Sequence, residues 1–410
     1  MIVLGLASLQ GCASLPWVDG QTLYVMVVTQ PSLDWLRRDA LEDRLWAPLV
    51  EEYRRLHPNV RLSLFTVSEN RVEEELRRRT SRGLGPDLIL ARAPLANTLL
   101  EGGLIAPVPR TPSMERSIAQ ISPGFLARVR HGSGLAGLPL HELVTLACYN
   151  RERVPVPPRT TEDLMALAAS GRTIGLSIDP YGIWWTAGTR DADEPIVPIL
   201  TGTLPAGGLD RQSEAKITSW LDWLRQIAQQ SKVDIATGPE ELSNGLISSR
   251  LDWIPCFSIT LNTLKKGMGA RLGVSALPSG PGGAPSPFNQ LQVWAFGLDS
   301  SPRQRQDASD LAELSVDPLL QRRYVLESQE VLPVNRVVET PVASSGVLAA
   351  LAESQGQFDS GSRILSAAFT LHHLSVVVPR LEGLIQQVMV GVLTPREGVK
   401  ALQRLGEKTR

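Results

Sequence analysis

Three large aromatic residues lie within five positions of one another in the sequence. They are Tyr181, Trp184 and Trp185, in the segment DPYGIWW, which follows a predicted strand. Flat aromatic rings stack on the apolar C–H faces of a sugar ring, while polar neighbours bond to its hydroxyls. The cluster therefore predicts stacking on a carbohydrate or related polyol; the alternative is that the tryptophans pack inside a domain.

Further candidate contacts are charged or aromatic residues that adjoin predicted strands. Arg92 is able to grip a carboxylate or phosphate with two N–H groups, or to donate to hydroxyls. Glu142, next to His141, is expected to serve either a ligand or a hinge. The other aromatic candidates, for which a place in a core is the alternative, are Trp35, Trp253 and Trp294.

Catalytic motifs are missing from the sequence. Residues 132–137 spell GxGxxG, but a strand follows them, whereas a dinucleotide site needs a helix whose amino end faces the pyrophosphate. No GxSxG, HExxH, P-loop or zinc-ligand spacing occurs, and the five histidines are scattered. We therefore expect no catalytic residue, no cofactor and no metal, and a binding protein rather than an enzyme.

The composition predicts a globular protein of several domains. The chain has 410 residues, of which 43% are hydrophobic. Because a domain usually holds about 100 to 200 residues, two or three domains are expected. The formal net charge is -1, so no summed field attracts nucleic acid or an anionic membrane surface.

The first residues follow the pattern of a bacterial lipoprotein leader. An apolar run leads into Leu9-Gln10-Gly11-Cys12, which is typical of a lipoprotein signal peptide. We expect residues 1–11 to be that signal peptide, Cys12 to carry the lipid, and residues 12–21 to form a tether. A positive n-region is missing, so the natural start is expected upstream of Met1. The alternative is a buried strand with a chance Gly-Cys pair.

Two cysteines remain beyond Cys12, and they lie far apart in the sequence. Neither Cys148 nor Cys256 has a CxxC or Cys/His spacing nearby, so neither is a metal-ligand candidate. We expect buried free thiols, and a disulfide between them is the alternative.

Strands and helices alternate along the chain. The strand Leu23 to Val28 is followed by a helix that ends at His57-Pro58-Asn59 and by the strand Val60 to Phe65. The pattern restarts with one long strand over Leu140 to Tyr149, then a helix with a capping box at Thr160 and Asp163. A later helix, near Ile217, carries an apolar stripe at helical spacing that is expected to face a core: Trp220, Leu221, Leu224, Ile227 and Ala228. This alternation predicts parallel sheets in two α/β units.

Several segments together resemble family 1 extracellular solute-binding proteins, the group that includes the maltose-binding protein. EEYRRLHPNVRLSL is similar to the family's helix, His-Pro-Asn break and second strand, and GLGPDLILA to its Gly, Pro, Asp and apolar strand. The longest match is GLAGLPLHELVTLACYNRERVPVPPRTTEDL, and LGVSALPSGPGG and EVLPVNRVV follow in order. The chain departs from the family at Arg92, where several sugar-binding members have an aromatic residue.

The resemblance implies an α/β chain with the two-lobed periplasmic-binding-protein fold (type II). Each lobe is then a mostly parallel sheet flanked by helices, with the ligand cleft between the lobes. Lobe 1 is expected over 22–141 and 297–337, and lobe 2 over 142–296 and 338–410, including the C-terminal helices. Because ligands bind outside the carboxyl ends of strands, Phe257 also becomes a cleft candidate. Tyr181 matches the place where the maltose-type members stack a ligand aromatic.

The resemblance also implies a substrate-binding lipoprotein of a bacterial ABC transporter. Such a monomer lies in the periplasm or on the outer face of the cytoplasmic membrane, held there only by its lipid. It captures a small solute, a sugar or polyol, by hinge closure and delivers it to the permease subunits. Two alternatives stay open: a tethered scaffold or chaperone-like protein that has lost its ligand, and a receptor for an anionic solute such as a phosphorylated polyol.

Overall fold

The computed structural model describes residues 20–30, 41–201, 203–357 and 371–408. Its strands form two large sheets and one small hairpin. The strands, in chain order, are β1 Gln21–Thr29, β2 Val60–Ser68, β3 Leu88–Arg92, β4 Arg130–His131, β5 Gly134–Leu135, β6 Leu138–Leu143, β7 Thr145–Asn150, β8 Ile174–Ser177, β9 Val233–Ala236, β10 Trp253–Phe257, β11 Leu272–Ser275, β12 Gln290–Phe296 and β13 Leu332–Pro333.

Helices cover the sheets and connect most of the strands. They are, in chain order, α1 Leu41–Leu56, α2 Val72–Thr80, α3 Ala93–Glu101, α4 Pro112–Ala119, α5 Pro123–Val129, α6 Thr161–Ala169, α7 Pro180–Ile183, α8 Trp185–Gly188, α9 Asp193–Leu200, α10 Arg211–Ala228, α11 Pro239–Ile247, α12 Leu261–Met268, α13 Pro302–Leu314, α14 Pro318–Ser328, α15 Gly346–Gln357, α16 Leu371–Met389 and α17 Pro395–Lys408.

The sheet of the first lobe has the strand order β13-β6-β12-β3-β1-β2. β1 pairs in parallel with β2 and β3, and β12 runs antiparallel between β3 and β6. Every residue of β3 is buried, as expected for a central strand covered on both faces. Helices α3, α5 and α13 pack against this sheet, and α1 packs against α13 and α14.

The sheet of the second lobe has the strand order β11-β7-β10-β8-β9. β8 runs parallel to β9 and β10, while β7 runs antiparallel to β10 and β11. Asp210 caps helix α10 at its amino end: its carboxylate accepts from the N–H groups of Gln212 and Ser213, which satisfies two free donors of the first turn. The apolar side of α10 is buried, and α16 and α17 pack against it.

These two sheets with flanking helices confirm the expected α/β, two-lobed fold class. The expectation of mostly parallel sheets is wrong, because each sheet combines parallel with antiparallel pairs: the returning strand β12 is antiparallel in the first sheet, and β7 is antiparallel in the second. Among the described helices, none combines the length and the apolar character that a membrane span requires.

The chain crosses between the lobes at Val144 and returns before Gln290. β6 belongs to the first sheet and β7 to the second, so the single strand predicted over 140–149 is in fact two strands. β12 lies between β6 and β3, so the boundary predicted after residue 296 falls before Gln290 instead. An apolar strand carries no mark of which sheet it joins, and only the observed pairing assigns β12 to lobe 1.

Cys148 on β7 and Cys256 on β10 form a disulfide, with Cα atoms 5.8 Å apart. In the register of the two strands, Cys148 lies opposite Ile254 and Cys256 opposite Leu146, so the bond runs diagonally between neighbours. The prediction of free thiols is therefore wrong. The cysteines are 108 residues apart, and only the pairing of β7 with β10 brings them together.

Candidate functional site

Three strands of the first sheet end at one edge with polar side chains. Gln30 follows β1, Glu69 follows β2, and Arg92 is the last residue of β3. One Nη2 group of Arg92 donates to both carboxylate oxygens of Glu69, at 2.5 and 2.6 Å. The two side chains are only 8% and 13% exposed. A largely buried ion pair thus lies at the carboxyl edge, where open α/β sheets bind ligands.

An amide pair and an aromatic ring lie beside this ion pair. Gln30 and Gln290, the first residue of β12, exchange side-chain hydrogen bonds: Nε2 of Gln30 donates at 2.5 Å and Nε2 of Gln290 at 3.2 Å. The centroid of the Phe288 ring lies 5.9 Å from the Arg92 guanidinium carbon, within the range of a cation–π contact. This edge therefore combines an apolar ring with hydrogen-bond donors and acceptors.

The second sheet presents a similar edge of strand ends. β8 ends at Ser177, whose Oγ accepts from the N–H of Asp179 at 3.0 Å. β10 ends at Phe257, and antiparallel β7 begins at Thr145 on the same edge, because these two residues lie opposite each other. All four residues line a shallow pocket. Its polar groups are hydroxyls and one carboxylate, and Phe257 supplies an aromatic wall.

The two edges meet where the chain crosses between the lobes. The N–H of Thr145 donates to Oδ1 of Asn289 at 2.9 Å. Val144 and Ser258 are joined by two further hydrogen bonds, of 3.1 and 2.8 Å. Since Thr145 begins β7 and Asn289 directly precedes β12, a single hydrogen bond ties the outgoing and returning segments together. The candidate site is the cleft between the strand ends of the two lobes.

A buried ion pair supports this crossing from within the first lobe. Nη1 of Arg128 donates to Oε1 of Glu142 at 2.7 Å, with side chains 2% and 0% exposed, and Nη2 of Arg128 donates to the backbone oxygen of Asn289 at 3.2 Å. Burial lowers the pKa of Arg128, an effect that the Glu142 carboxylate opposes. Burial lowers the pKa of His141 to about 3, so that imidazole is neutral. Of the two roles expected for Glu142, these contacts favour the hinge.

Several solved structures are similar to this chain in fold. The chain is similar to the GacH receptor of Streptomyces glaucescens GLA.O, solved unliganded and in complex with acarbose, with a TM-score of 0.72 and 15% identity over 95% of this chain and 98% of that one. The chain has the fold of ABC-transporter solute-binding proteins.

Two further structures share the solute-binding-protein fold. An ABC transporter solute-binding protein from Thermotoga lettingae TMO, bound with alpha-D-tagatose, has a TM-score of 0.68 and 16% identity over 95% of this chain and 99% of that one. A cyclo/maltodextrin-binding protein complexed with maltotetraose has a TM-score of 0.71 and 14% identity over 95% and 98%. No protein-family model and no curated protein matches the sequence. At these identities the likeness establishes the fold alone.

Within this solute-binding-protein fold, three of the predicted stacking residues lie in the core of the second lobe. Trp184, Trp185 and Trp253 are 2%, 0% and 0% exposed. The ring of Trp184 packs edge-on against Trp220, with centroids 6.0 Å apart, and Trp185 lies 6.5 Å from Trp223 and 6.2 Å from Trp253. A ring with no accessible face has no surface on which a solute can stack in this structure, because α10 already covers the cluster.

The other predicted residues have varied positions. Trp294 is a core residue of lobe 1, 2% exposed, and its Nε1 donates to Oγ of Ser315 at 3.2 Å. Tyr181 lies in α7, just beyond the end of β8, but its side chain is outside the described set. Trp35 and Cys12 lie outside the described residues. Of the predicted candidates, the structure thus brings Arg92 and Phe257 to the cleft edges.

Several cleft residues were not predicted, among them Gln30, Glu69, Asp179, Phe288 and Gln290. Gln30 and Glu69 each directly follow a strand, so the strand-end rule that selected Arg92 applies to them equally. Phe288 precedes β12 and Gln290 is its first residue, so their place in the cleft depends on the return of that strand to the first sheet. No local pattern in the sequence reveals that return.

A cavity of about 590 Å³ lies between the lobes but away from these strand ends. It is lined by Pro48 of α1, Glu330 after α14, and Arg151 and Leu272 on the second lobe. Arg151 directly follows β7, whereas the cleft edge is at the first residue of β7, Thr145. The cavity therefore lies at the opposite edge of the second sheet and is not the candidate site.

Proposed function

We propose that the protein is the substrate-binding component of an ABC importer and captures a neutral sugar or polyol between its lobes. The observation that carries the proposal is the pair of facing strand ends. The first lobe contributes the Arg92–Glu69 pair, and the second contributes Asp179 and Phe257. Hinge movement at the crossing segments would enclose a solute between them. The similar structures were solved with acarbose, alpha-D-tagatose and maltotetraose, which supports a carbohydrate as the ligand of this protein.

The Arg92–Glu69 pair favours a neutral solute over an anion. Both oxygens of Glu69 accept from the Arg92 guanidinium, so the positive charge is already compensated at the cleft. An anion would have to compete with that carboxylate, whereas a hydroxyl group can donate to Glu69 and accept from Arg92 at once. The paired charges therefore suit a polyhydroxyl ligand.

We propose that the receptor acts outside the cytoplasm, anchored through Cys12. The Cys148–Cys256 disulfide supports this location, because disulfides persist in oxidising compartments such as the periplasm. Cys12→Ala is the test, by fractionation of cells that express the parent and the variant. The parent should sediment with membranes and the variant should be soluble. A variant that stays in the membrane pellet as firmly as the parent would rule out this anchor.

Calorimetric titration with maltotetraose, acarbose, D-tagatose and a phosphorylated polyol tests the ligand class. For a neutral sugar, Arg92→Gln and Glu69→Gln should each weaken binding by roughly threefold to tenfold, since each removes hydrogen bonds to the ligand. For an anion, Arg92→Gln should abolish binding while Glu69→Gln strengthens it. The matched control is Arg323→Gln, an exposed arginine on α14, which should leave affinity unchanged.

Scattering with and without the bound sugar tests lobe closure. The radius of gyration should fall on binding, because the solute contacts both lobes and stabilises the closed state. A constant radius at saturating sugar would contradict capture by closure. If none of the four solutes binds and none raises the unfolding temperature, the scaffold alternative replaces the receptor proposal.

A further inference from the structure

A histidine and two aspartates converge on the first lobe, at the edge of the sheet opposite the cleft. His57 follows α1, and Asp307 and Asp310 lie one turn apart on α13. One potential ligand atom from each of the three lies within 4.8 Å of the others. His57 lies just before β2, since its backbone oxygen accepts from the N–H of Val60, whereas Glu69 of the cleft follows the far end of that strand. The cluster is thus independent of the candidate solute site.

Asp307 gives this cluster a feature that an exposed acidic patch lacks. The residue is only 9% exposed, and its Oδ2 has no hydrogen-bond partner among the residues that the structure describes. A buried carboxylate oxygen without a hydrogen-bond partner lowers the stability of the fold unless a proton, a donor or a cation satisfies it. Its carboxylate belongs to the set that converges with His57 and Asp310, so a shared cation would satisfy it.

Neighbouring contacts hold the three groups in place. The ring of His57 stacks on Tyr53, with centroids 4.4 Å apart and planes 17° from parallel. The hydroxyl of Tyr53 donates to the backbone oxygen of Asp307 at 3.0 Å, which fixes the end of α1 against α13. Nε2 of Gln306 donates to Oδ1 of Asp310 at 2.8 Å. Hydrogen bonds and ring stacking around metal ligands hold those ligands in the orientation that binding requires.

We propose that His57, Asp307 and Asp310 form a zinc-class metal site that clamps α1 to α13. One imidazole nitrogen and two carboxylates are a donor set that Zn²⁺ accepts, with water in the fourth position. Zinc–ligand bonds of about 2.0 to 2.2 Å require the side chains to close in slightly. His57 and Asp310 are partly exposed and have room to do so. The site would stabilise lobe 1 without contacting the solute.

Calorimetric titration of ZnCl₂ into the full chain tests the site. The variants are His57→Asn and Asp310→Asn, which keep the approximate size of each side chain and replace partly exposed residues. The matched control is His131→Asn, a histidine on the same lobe that lies 3.6 Å from Glu101. Loss of a metal ligand should weaken zinc binding by at least about 100-fold, because loss of a group that only hydrogen-bonds to a ligand already costs about 10-fold to 100-fold.

The parent and His131→Asn should each bind one equivalent of zinc. His57→Asn and Asp310→Asn should bind none. Zinc should also raise the unfolding temperature of the parent but not of Asp310→Asn. Circular dichroism of the metal-free variants establishes that they fold. A folded His57→Asn and a folded Asp310→Asn that bind zinc as the parent does would overturn the proposal, as would a parent that binds none. Zinc loss from His131→Asn alone would place the metal elsewhere and overturn it too.

Discussion

The guanidinium of Arg128 and the carboxylate of Glu142 form an ion pair inside the first lobe, 2.7 Å apart and almost fully buried. The same guanidinium also donates to Asn289, whose side chain accepts from Thr145 in the other crossing segment. One arginine thus connects β6 to the segment through which the chain returns from the second lobe. Because desolvation offsets most of the attraction in a buried pair, its main effect is to fix geometry rather than to add stability.

Arg128→Ala should lower the free energy of unfolding by about 3 to 5 kcal/mol. The change removes the guanidinium that pairs with the buried Glu142 carboxylate, and removing one member of a buried ion pair is strongly destabilising. Urea unfolding of parent and variant measures the loss. Arg323→Ala is the control: it removes an arginine paired with Glu327 on the surface, and should cost no more than about 1 kcal/mol. Similar losses for both variants would contradict a special role for the buried pair.

Regular elements were the part of this fold that local sequence signals could predict. The capping box expected at Thr160 and Asp163 is present, with the side chain of each residue accepting from the backbone N–H of the other. The apolar stripe of α10 is buried as its helical spacing predicted. Both signals act within a few residues, so neighbouring side chains suffice to determine them.

The cleft was harder to predict, because its composition depends on contacts between distant segments. Trp185 has the residue type and strand-end position of a ligand wall, but α10 supplies Trp223 to cover it. Glu69 gains its role only through Arg92, 23 residues further on. Sequence spacing likewise gives no sign that His57 lies near Asp307 or that Cys148 bonds to Cys256. The packing of sheets and helices brings each pair together. Aromatic type alone does not distinguish a core residue from a stacking residue.

Removal of the disulfide should destabilise the second lobe. The double variant Cys148→Ala with Cys256→Ala is expected to lose about 2 to 5 kcal/mol, because the bond closes a long loop that restricts the unfolded chain. Urea unfolding with and without reductant measures this loss. The parent should be weakened by reductant and the double variant should not respond. Free thiols at both Cys148 and Cys256 in the denatured, unreduced parent would show that the bond does not form.

Acid should weaken the protein through His141. Burial holds its pKa at about 3 in the folded state, against 6.5 for the free side chain, so below pH 6.5 the unfolded chain binds a proton that the folded chain does not. Stability is therefore retained above pH 6.5 and falls as the pH drops toward 3, by about 2 kcal/mol between pH 7 and pH 5. His141→Gln removes the group and should flatten the unfolding free energy over that range. Equal slopes in parent and variant would refute this assignment.

A matched pair of aromatic changes separates packing from ligand recognition in the second lobe. Trp185→Ala should cost about 3 to 5 kcal/mol of stability, because the ring is fully buried against Trp223 and Trp253 and its loss leaves a cavity. Its effect on solute affinity should be small wherever the variant stays folded. Phe257→Ala removes a ring from the pocket at the end of β10, so it should weaken binding roughly thirtyfold, the loss typical of a central aromatic contact of about 2 kcal/mol.

Urea unfolding and calorimetric titration with the best-binding sugar, performed on both variants, measure the two quantities independently. The Phe257 variant should lose less stability than the Trp185 variant, since the phenyl ring lies at the cleft edge and keeps 8% exposure. Affinity lost by Trp185→Ala but retained by Phe257→Ala would reverse the assignment. That result would mean that the sugar reaches the tryptophan cluster in the bound state, which requires α10 to move away from Trp185 when the ligand enters.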